Sequence, residues 1–280
     1  MRWFKPHFDR AAILWAVFLC AVTAATADAR RVTVAASKDN TLFGPFNTAF
    51  SNGAGPGLFS GATRSFGPRR ALLQFALTDS LPANVRIDSV RLRLHLNRAS
   101  SGVFTHTLHK LLGDWGEAGS ISLGGGGALA QPGDATWSHA FYDSVAWSAA
   151  GGDFAAAPSA TAAVDSIPGD YFWGSTPGLV ADVQAWADQP GTNFGWILIG
   201  DESGTSAKRF DSREGAVPGL RPELSIDFSP ASPVEIKSWS WAKQRLSRRA
   251  VAPSPKPMPA PGSAPAPAPA PAPVPKKVKR

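Results

Sequence analysis

The sequence predicts an all-β fold, an antiparallel jelly-roll-like β-sandwich with one short helix, followed by a disordered Pro/Ala-rich C-terminal tail. Three observations carry this expectation. Residues 86–97, RIDSVRLRLHLN, place Val90, Leu92, Leu94 and Leu96 on one side and Arg91, Arg93, His95 and Asn97 on the other, the period of a strand with one buried and one wet face. Other short apolar runs are separated by Gly- and Pro-rich spans, and nothing between 31 and 228 has the long helical period that a parallel crossover requires. From Pro230 the composition changes abruptly and the chain ends in alternating proline and alanine, which cannot build a core and favours an extended, semi-rigid spacer.

In chain order, MRWFKPHFDR carries Arg2, Lys5 and Arg10 against Asp9 and runs into the apolar stretch AAILWAVFLCAVTAA at 11–25. This reads as a secretory signal over 1–29, with small residues at Ala25, Ala27 and Ala29 for cleavage. The apolar run falls short of the roughly 20 residues a membrane-spanning helix needs, which favours cleavage over an uncleaved anchor without excluding the anchor. The expected location is secreted or cell envelope, with no transmembrane span in the mature chain. Cys20 lies inside the apolar run with Leu19 before it, which argues against lipidation. Cleavage removes the one cysteine, so the domain at 30–229 holds neither a disulfide nor a thiolate metal site.

Strands are expected at VTVAA (32–36), ALLQFAL (71–77), 86–97, TLHKLL (107–112), GWILIG (195–200), AKRFDS (207–212) and ELSIDF (223–228). The runs at 71–77 and 86–97 read as a strand pair, although the TDSLPANV linker is too long for a tight hairpin and need not join them directly. GLVADVQAWAD at 178–188 sets Leu179, Val183 and Trp186 at i, i+4 and i+7, a short helix ended by Pro190–Gly191 and held against the sheet by that face.

Charge divides sharply along the chain. Residues 30–229 carry 15 basic and 18 acidic side chains, whereas 230–280 carry 10 basic and 1 acidic. Basic character therefore belongs to the tail, so no nucleic-acid partner is expected for the domain. The tail, with Trp239 and Trp241 among Lys243, Arg245, Arg248 and Arg249, reads either as a contact to an anionic envelope surface or as linker. Its end, PKKVKR, has the composition of a nuclear-import signal, but an exported chain never meets that machinery.

The spaced elements DWGE, DATW, FY, W and GGDF within 114–154 follow RRALLQFAL and LPANVRIDSVRLRLHL, and precede LVADVQAWADQPGTNFGWILIGDES and KRFDSREGAVPGLRPELSIDF. Together they resemble the DNRLRE-domain family over about 31–228. The resemblance implies a jelly-roll-like sandwich outside the cytoplasm, allied to carbohydrate-binding modules and often attached to larger surface proteins. FDSREG at 210–215 is similar to that family's Ser-Arg-Glu signature.

No catalytic constellation stands out in the sequence, and GGDF at 151–154 reads as a loop. His106 and His109, three apart on a strand, fall on opposite faces. Trp115, Trp137, Tyr142 and Trp147 come from loops; each serves either as an anchor pinning loop to core or as a flat platform for the C–H face of a sugar. Arg91 and Arg93 form a stripe suited to the carboxylates of an acidic glycan, or plain solvent-facing charge. A structural Ca²⁺ is expected if folding brings together Asp39, Glu117 and Asp227. Arg213 and Glu214, read as strand residues, are expected on opposite faces. The leading expectation is thus a non-catalytic carbohydrate-binding or surface-attachment module whose partner is a polysaccharide or envelope surface. The alternatives are a structural or protein-interaction component of the envelope and a polysaccharide-cleaving enzyme.

Overall fold

The computed structural model describes residues 29–231; residues 1–28 and 232–280, and with them the expected signal segment and tail, lie outside the described residues. The principal sheet is built from β1 (Arg30–Ala35), β2 (Lys38–Phe43), β3 (Gly57–Thr63), β4 (Gly67–Gln74), β5 (Val85–Ala99), β6 (Phe104–Lys110), β7 (Ala160–Val164), β8 (Gly169–Gly174), β9 (Trp196–Ile199), β10 (Lys208–Asp211) and β11 (Glu223–Pro230), with one α-helix, α1 (Pro177–Asp188). Every pairing is antiparallel, and the sheet runs β1-β11-β5-β10-β3-β4-β9-β6-β7, with β8 beside β5 and β2 beside β4. This curled sheet is the expected jelly-roll-like sandwich.

The fold doubles over at β3. Leu58–Ser60 pair with β10 in the first layer, whereas Gly61–Thr63 pair with β4 in the second. Gly61 stands at the switch with φ +98, and a Cβ there would sit 2.8 Å from Ser206 O, so only glycine fits. β4 and β5 do not pair with each other, contrary to the hairpin-like reading. They lie in opposite layers and meet through side chains such as Leu73 and Leu92 within one core cluster.

Strict alternation in β5 has the expected result. Val90, Leu92, Leu94 and Leu96 are fully buried in the inner core with Leu58, Leu108, Leu198, Phe210 and Leu224, while Arg91, Arg93 and His95 face outward. α1 is capped by Thr176, whose Oγ1 accepts from Leu179 N at 3.2 Å. Its buried residues are Leu179, Val183 and Trp186, as the spacing predicts. Gln184 fixes the helix to the start of β5, accepting from Ile87 N at 2.8 Å and donating to Val85 O at 3.0 Å.

A second core lies on the other side of β4 and β9. Leu42, Leu72 and Ile197 point away from the inner core and pack beneath Leu111, Trp115, Ala135, Trp137, Ala140 and Trp147 of the long excursion at 111–159. The second layer is therefore buried on both faces, which is why WILI in β9 is apolar without alternation. Of the strands absent from the sequence expectation, β2, β3 and β7 occupy Gly-, Ala- and polar-rich stretches, and β8 is a short aromatic run, Tyr171–Trp173, between two glycines.

Candidate metal centre and surrounding clefts

Three carboxylates from three distant parts of the chain converge at one end of the sandwich. Asp39 comes from β2, Glu117 from the excursion just after Trp115, and Glu214 from the turn after β10, with potential donor oxygens all within 4.8 Å of one another. Asp39 N donates to Glu117 Oε1 at 2.9 Å, and Arg213 N donates to Asp39 Oδ2 at 2.7 Å. The Arg213 guanidinium crosses the group, with Nε 2.8 Å from Glu117 Oε1 and 2.9 Å from Glu214 Oε1. Arg213 and Glu214 thus sit on one side, not on opposite faces. Residues 212–215 form a turn closed by Gly215 N on Ser212 O at 3.0 Å, so strand alternation does not apply to them.

The loops that carry these carboxylates are held by buried polar side chains. Asn40 Oδ1 accepts from Thr41 N, Ser51 Oγ and Asn52 N, while its Nδ2 donates to Gly116 O beside Glu117. Asp134 Oδ1 accepts from Ala118 N at 2.7 Å. Ser212 Oγ accepts from Glu214 N at 3.1 Å and donates to Gly55 O at 2.8 Å. Nothing in the local sequence around Asn40 marks it out, whereas Asp134 opens the DATW element and Glu214 lies within the FDSREG phrase.

Two oxygens of the group have no hydrogen-bond partner although they are buried: Asp39 Oδ1 and Glu214 Oε2. Asp39 is completely inaccessible. Burial above all, with Glu214 and Glu117 adding repulsion, holds its carboxyl well above the usual carboxylate range against the opposing N–H of Arg213. Burial also raises Glu214. Three carboxylates against one guanidinium leave two negative charges in excess when all are ionised. A divalent cation matches that excess, and the donor set, all hard oxygen, suits one.

Asp227 does not join this group. The β1–β11 register sets it opposite Arg31, whose Nε and Nη2 donate to its two oxygens at 2.6 and 2.9 Å, and Ser89 Oγ adds a third bond at 2.6 Å. These bonds bring its carboxyl down to about 2.

The loop tryptophans turn inward. Trp115 is fully buried, donates from Nε1 to Phe194 O at 2.8 Å and takes Lys38 Nζ over its ring at 4.3 Å. Trp147 is buried and donates to Thr136 O at 2.8 Å. Trp137 is buried beneath the Arg70 guanidinium, 4.6 Å from ring to Cζ. Tyr142 is half-buried against the edge of His139. On the opposite layer, Arg91 stacks on Phe172 at 3.6 Å, and Arg93 is engaged by Asp170 and Glu223 at 3.3 and 3.5 Å. His106 and His109 do fall on opposite faces; burial pushes His106 down to about 4, while His109 packs on Phe154. Ser138 Oγ lies 3.0 Å from His139 Nδ1, but it also contacts Thr48 O, and no carboxylate is hydrogen-bonded to that ring.

A cleft of about 510 Å³ opens over the excursion and is lined by Arg70, Leu112, Ser148, Asp153 and Phe154 among others. Arg70 is fixed there by both oxygens of Glu202, at 2.7 and 2.9 Å, and by Gly151 O at 2.8 Å. Asp153 accepts from Ser148 N and Ala149 N, setting the rim. No helix of the described residues is long and apolar enough to cross a membrane. A scan against protein-family models finds no match for the chain, and a search of curated proteins finds none either.

Proposed function

We propose that this chain is an exported, non-catalytic module that binds a polysaccharide in the Arg70–Phe154 cleft, with Ca²⁺ at Asp39, Glu117 and Glu214 fastening the adjacent loops. One observation carries the reading: the cleft joins a half-buried ring and the exposed Leu112 to a guanidinium and a carboxylate, the combination of apolar face and polar rim that a sugar presents in complement. The predicted loop aromatics support this cleft from below, Trp137 backing Arg70, instead of forming its floor. Kinship with the DNRLRE-domain family belongs to the same proposal and agrees with the sandwich fold. Calcium is preferred to magnesium because the donors come from three separate segments and two of their oxygens have no other partner, which suits a larger ion with variable coordination.

The test is a glycan-array titration of the full chain in calcium and in chelator, with Phe154→Ala beside the wild type. Saturable binding to one polysaccharide class, weakened about ten-fold in Phe154→Ala at unchanged melting temperature, is expected. No binding across neutral and acidic glycans by folded protein overturns the reading. A second reading, a protein-docking component of the envelope, is favoured by the exposed Ile121, Leu123 and Leu129 of the excursion. It predicts that Leu123→Asp lowers retention on isolated envelope material while leaving glycan binding intact.

A further inference from the structure

The first layer and its junction with the second carry a different feature, independent of the polysaccharide reading. Several cations of the domain meet a carboxylate: Arg31 with Asp227, Lys38 with Asp114, Arg70 with Glu202, Arg93 with Asp170, and Arg213 with Glu117. One cleft of about 230 Å³ reverses this pattern. Its lining includes Arg69, Arg98, Lys208 and Arg209, together with Phe59 and Thr63, and contains no acidic residue.

The strand register forces the charges together. Arg209 of β10 is directly opposite both Arg98 of β5 and Phe59 of β3, and like charges directly opposite on a sheet repel. Arg209 is fixed in place, with Nη1 on Asn97 Oδ1 at 3.0 Å, Nη2 on Pro56 O at 3.4 Å and Cζ 5.9 Å from the Phe59 ring. Arg98 is exposed and makes no hydrogen bond or ion pair among the described residues. Arg69 and Lys208 are fully buried and satisfied only by backbone carbonyls, Gly67 O and Gly125 O for the first and Ser100 O and Gly102 O for the second. Nearby acids are held outside the lining: Asp211 accepts from Asn97, and Asp165 acts on Lys208 from a distance. Two further polar atoms in lining residues, Arg209 Nε and Thr63 Oγ1, are buried without a partner.

We infer that this cleft is a binding site for a tetrahedral oxyanion, a phosphate or sulfate group, held by Arg98 and Arg209 with Thr63. The donor-bearing residues come from both layers: Arg98 and Arg209 face each other across β5 and β10 of the first, and Thr63 belongs to the part of β3 that pairs with β4 in the second. A planar carboxylate offers acceptors along one edge, whereas a tetrahedral oxyanion offers them in several directions. The group relieves the Arg98–Arg209 repulsion. Its source is either a free ion or an ester carried on a polymer.

The experiment is calorimetric titration of the full chain with sodium phosphate and sodium sulfate at low ionic strength, with sodium acetate as the planar control and amide chemical-shift mapping of the bound form. Arg98→Ala and Thr63→Val, each checked for an unchanged melting temperature, accompany the wild type; the tail is common to all three, so its charge cancels in the comparison. One saturable site is expected, with shifts at Thr63, Arg98 and Arg209 and affinity about ten-fold weaker in Arg98→Ala. Displacement of bound phosphate by dextran sulfate or by a phosphodiester polymer assigns a polymer ester as the source, and displacement by neither assigns the free ion. The inference is overturned by binding that never saturates, by equal affinity in Arg98→Ala, by acetate binding as tightly as sulfate, or by shifts confined to other loops. Failure of glycan binding at Phe154 leaves it standing, because the two clefts share no lining residue.

Discussion

The outer face of the first layer keeps Arg93 paired with Asp170 and Glu223, and Arg31 with Asp227, in contact with water, whereas the outer face of the second packs Leu72 and Ile197 beneath Trp115 and Trp137. Both faces belong to the same antiparallel sheet. The difference lies in the chain laid over them: among the described residues no segment roofs the first, while the excursion at 111–159 roofs the second. A sandwich built this way has two cores of unequal origin, one made by strands facing strands and one made by strands facing a loop.

Four measurements break or sharpen that contrast. The largest effect is expected for Trp115→Ala, which removes a fully buried ring and its hydrogen bond from the roof and lowers stability by about 3–5 kcal/mol in denaturant unfolding. A loss below about 1 kcal/mol would mean that the roof contributes little to the fold.

The next concerns His106 at the edge of the inner core. Unfolded, its imidazole takes a proton near 6.5; folded, burial delays this to about 4. The unfolded state therefore binds more protons between those values, and stability falls as pH drops through that window, by roughly 3 kcal/mol, then levels off below it. The contribution is fully present above 6.5. Asp39, with its carboxyl held high, acts in the opposite sense, so the informative quantity is wild type minus His106→Leu across the pH series. A pH-independent difference would remove burial of the neutral ring from the account.

Calcium comes third. At one hundred times its dissociation constant the ion is expected to stabilise the wild type by about 2.7 kcal/mol, and not Asp39→Asn, by thermal unfolding in calcium and in chelator. Smallest is the wet face: Arg91→Ala loses its stacking on Phe172 and is expected to cost about 0.5–1 kcal/mol, measured by the same denaturation as Trp115→Ala. If the two losses were equal, the distinction between a covered and an open face would fail.

These two faces also explain what the sequence revealed. In β5 alternate residues from Val90 to Leu96 are apolar and those between them polar, so the strand and its buried side were legible, while its pairing partners were not. α1 was legible for the same reason, through Leu179, Val183 and Trp186. In β4 and β9 the runs ALL (71–73) and WILI (196–199) are apolar without alternation, which marks a strand covered on both sides; the signal points to a second core, and the structure shows Trp115, Trp137 and Trp147 in it. Of the expected cation ligands, Asp39 and Glu117 come together, but Glu214 takes the third place. The reason is the turn at 212–215, which makes neighbouring residues face the same way, and no alternation argument sees a turn. Asp227 was placed on the wet face by its pairing with Arg31, a register that follows only from β1 lying beside β11.

The excursion at 111–159 is one uninterrupted length of chain seated on a platform whose strands come from before and after it. The platform's inner core is complete without that seat, whereas the seat has nothing to fold upon without the platform. Opening the two apart therefore costs less than unravelling the whole domain. It would bare Leu72 and Ile197 on a sheet whose other face is still packed. The partly opened form expected to be most exposed to proteases and to self-association is thus a finished sandwich without its own loop closed over it.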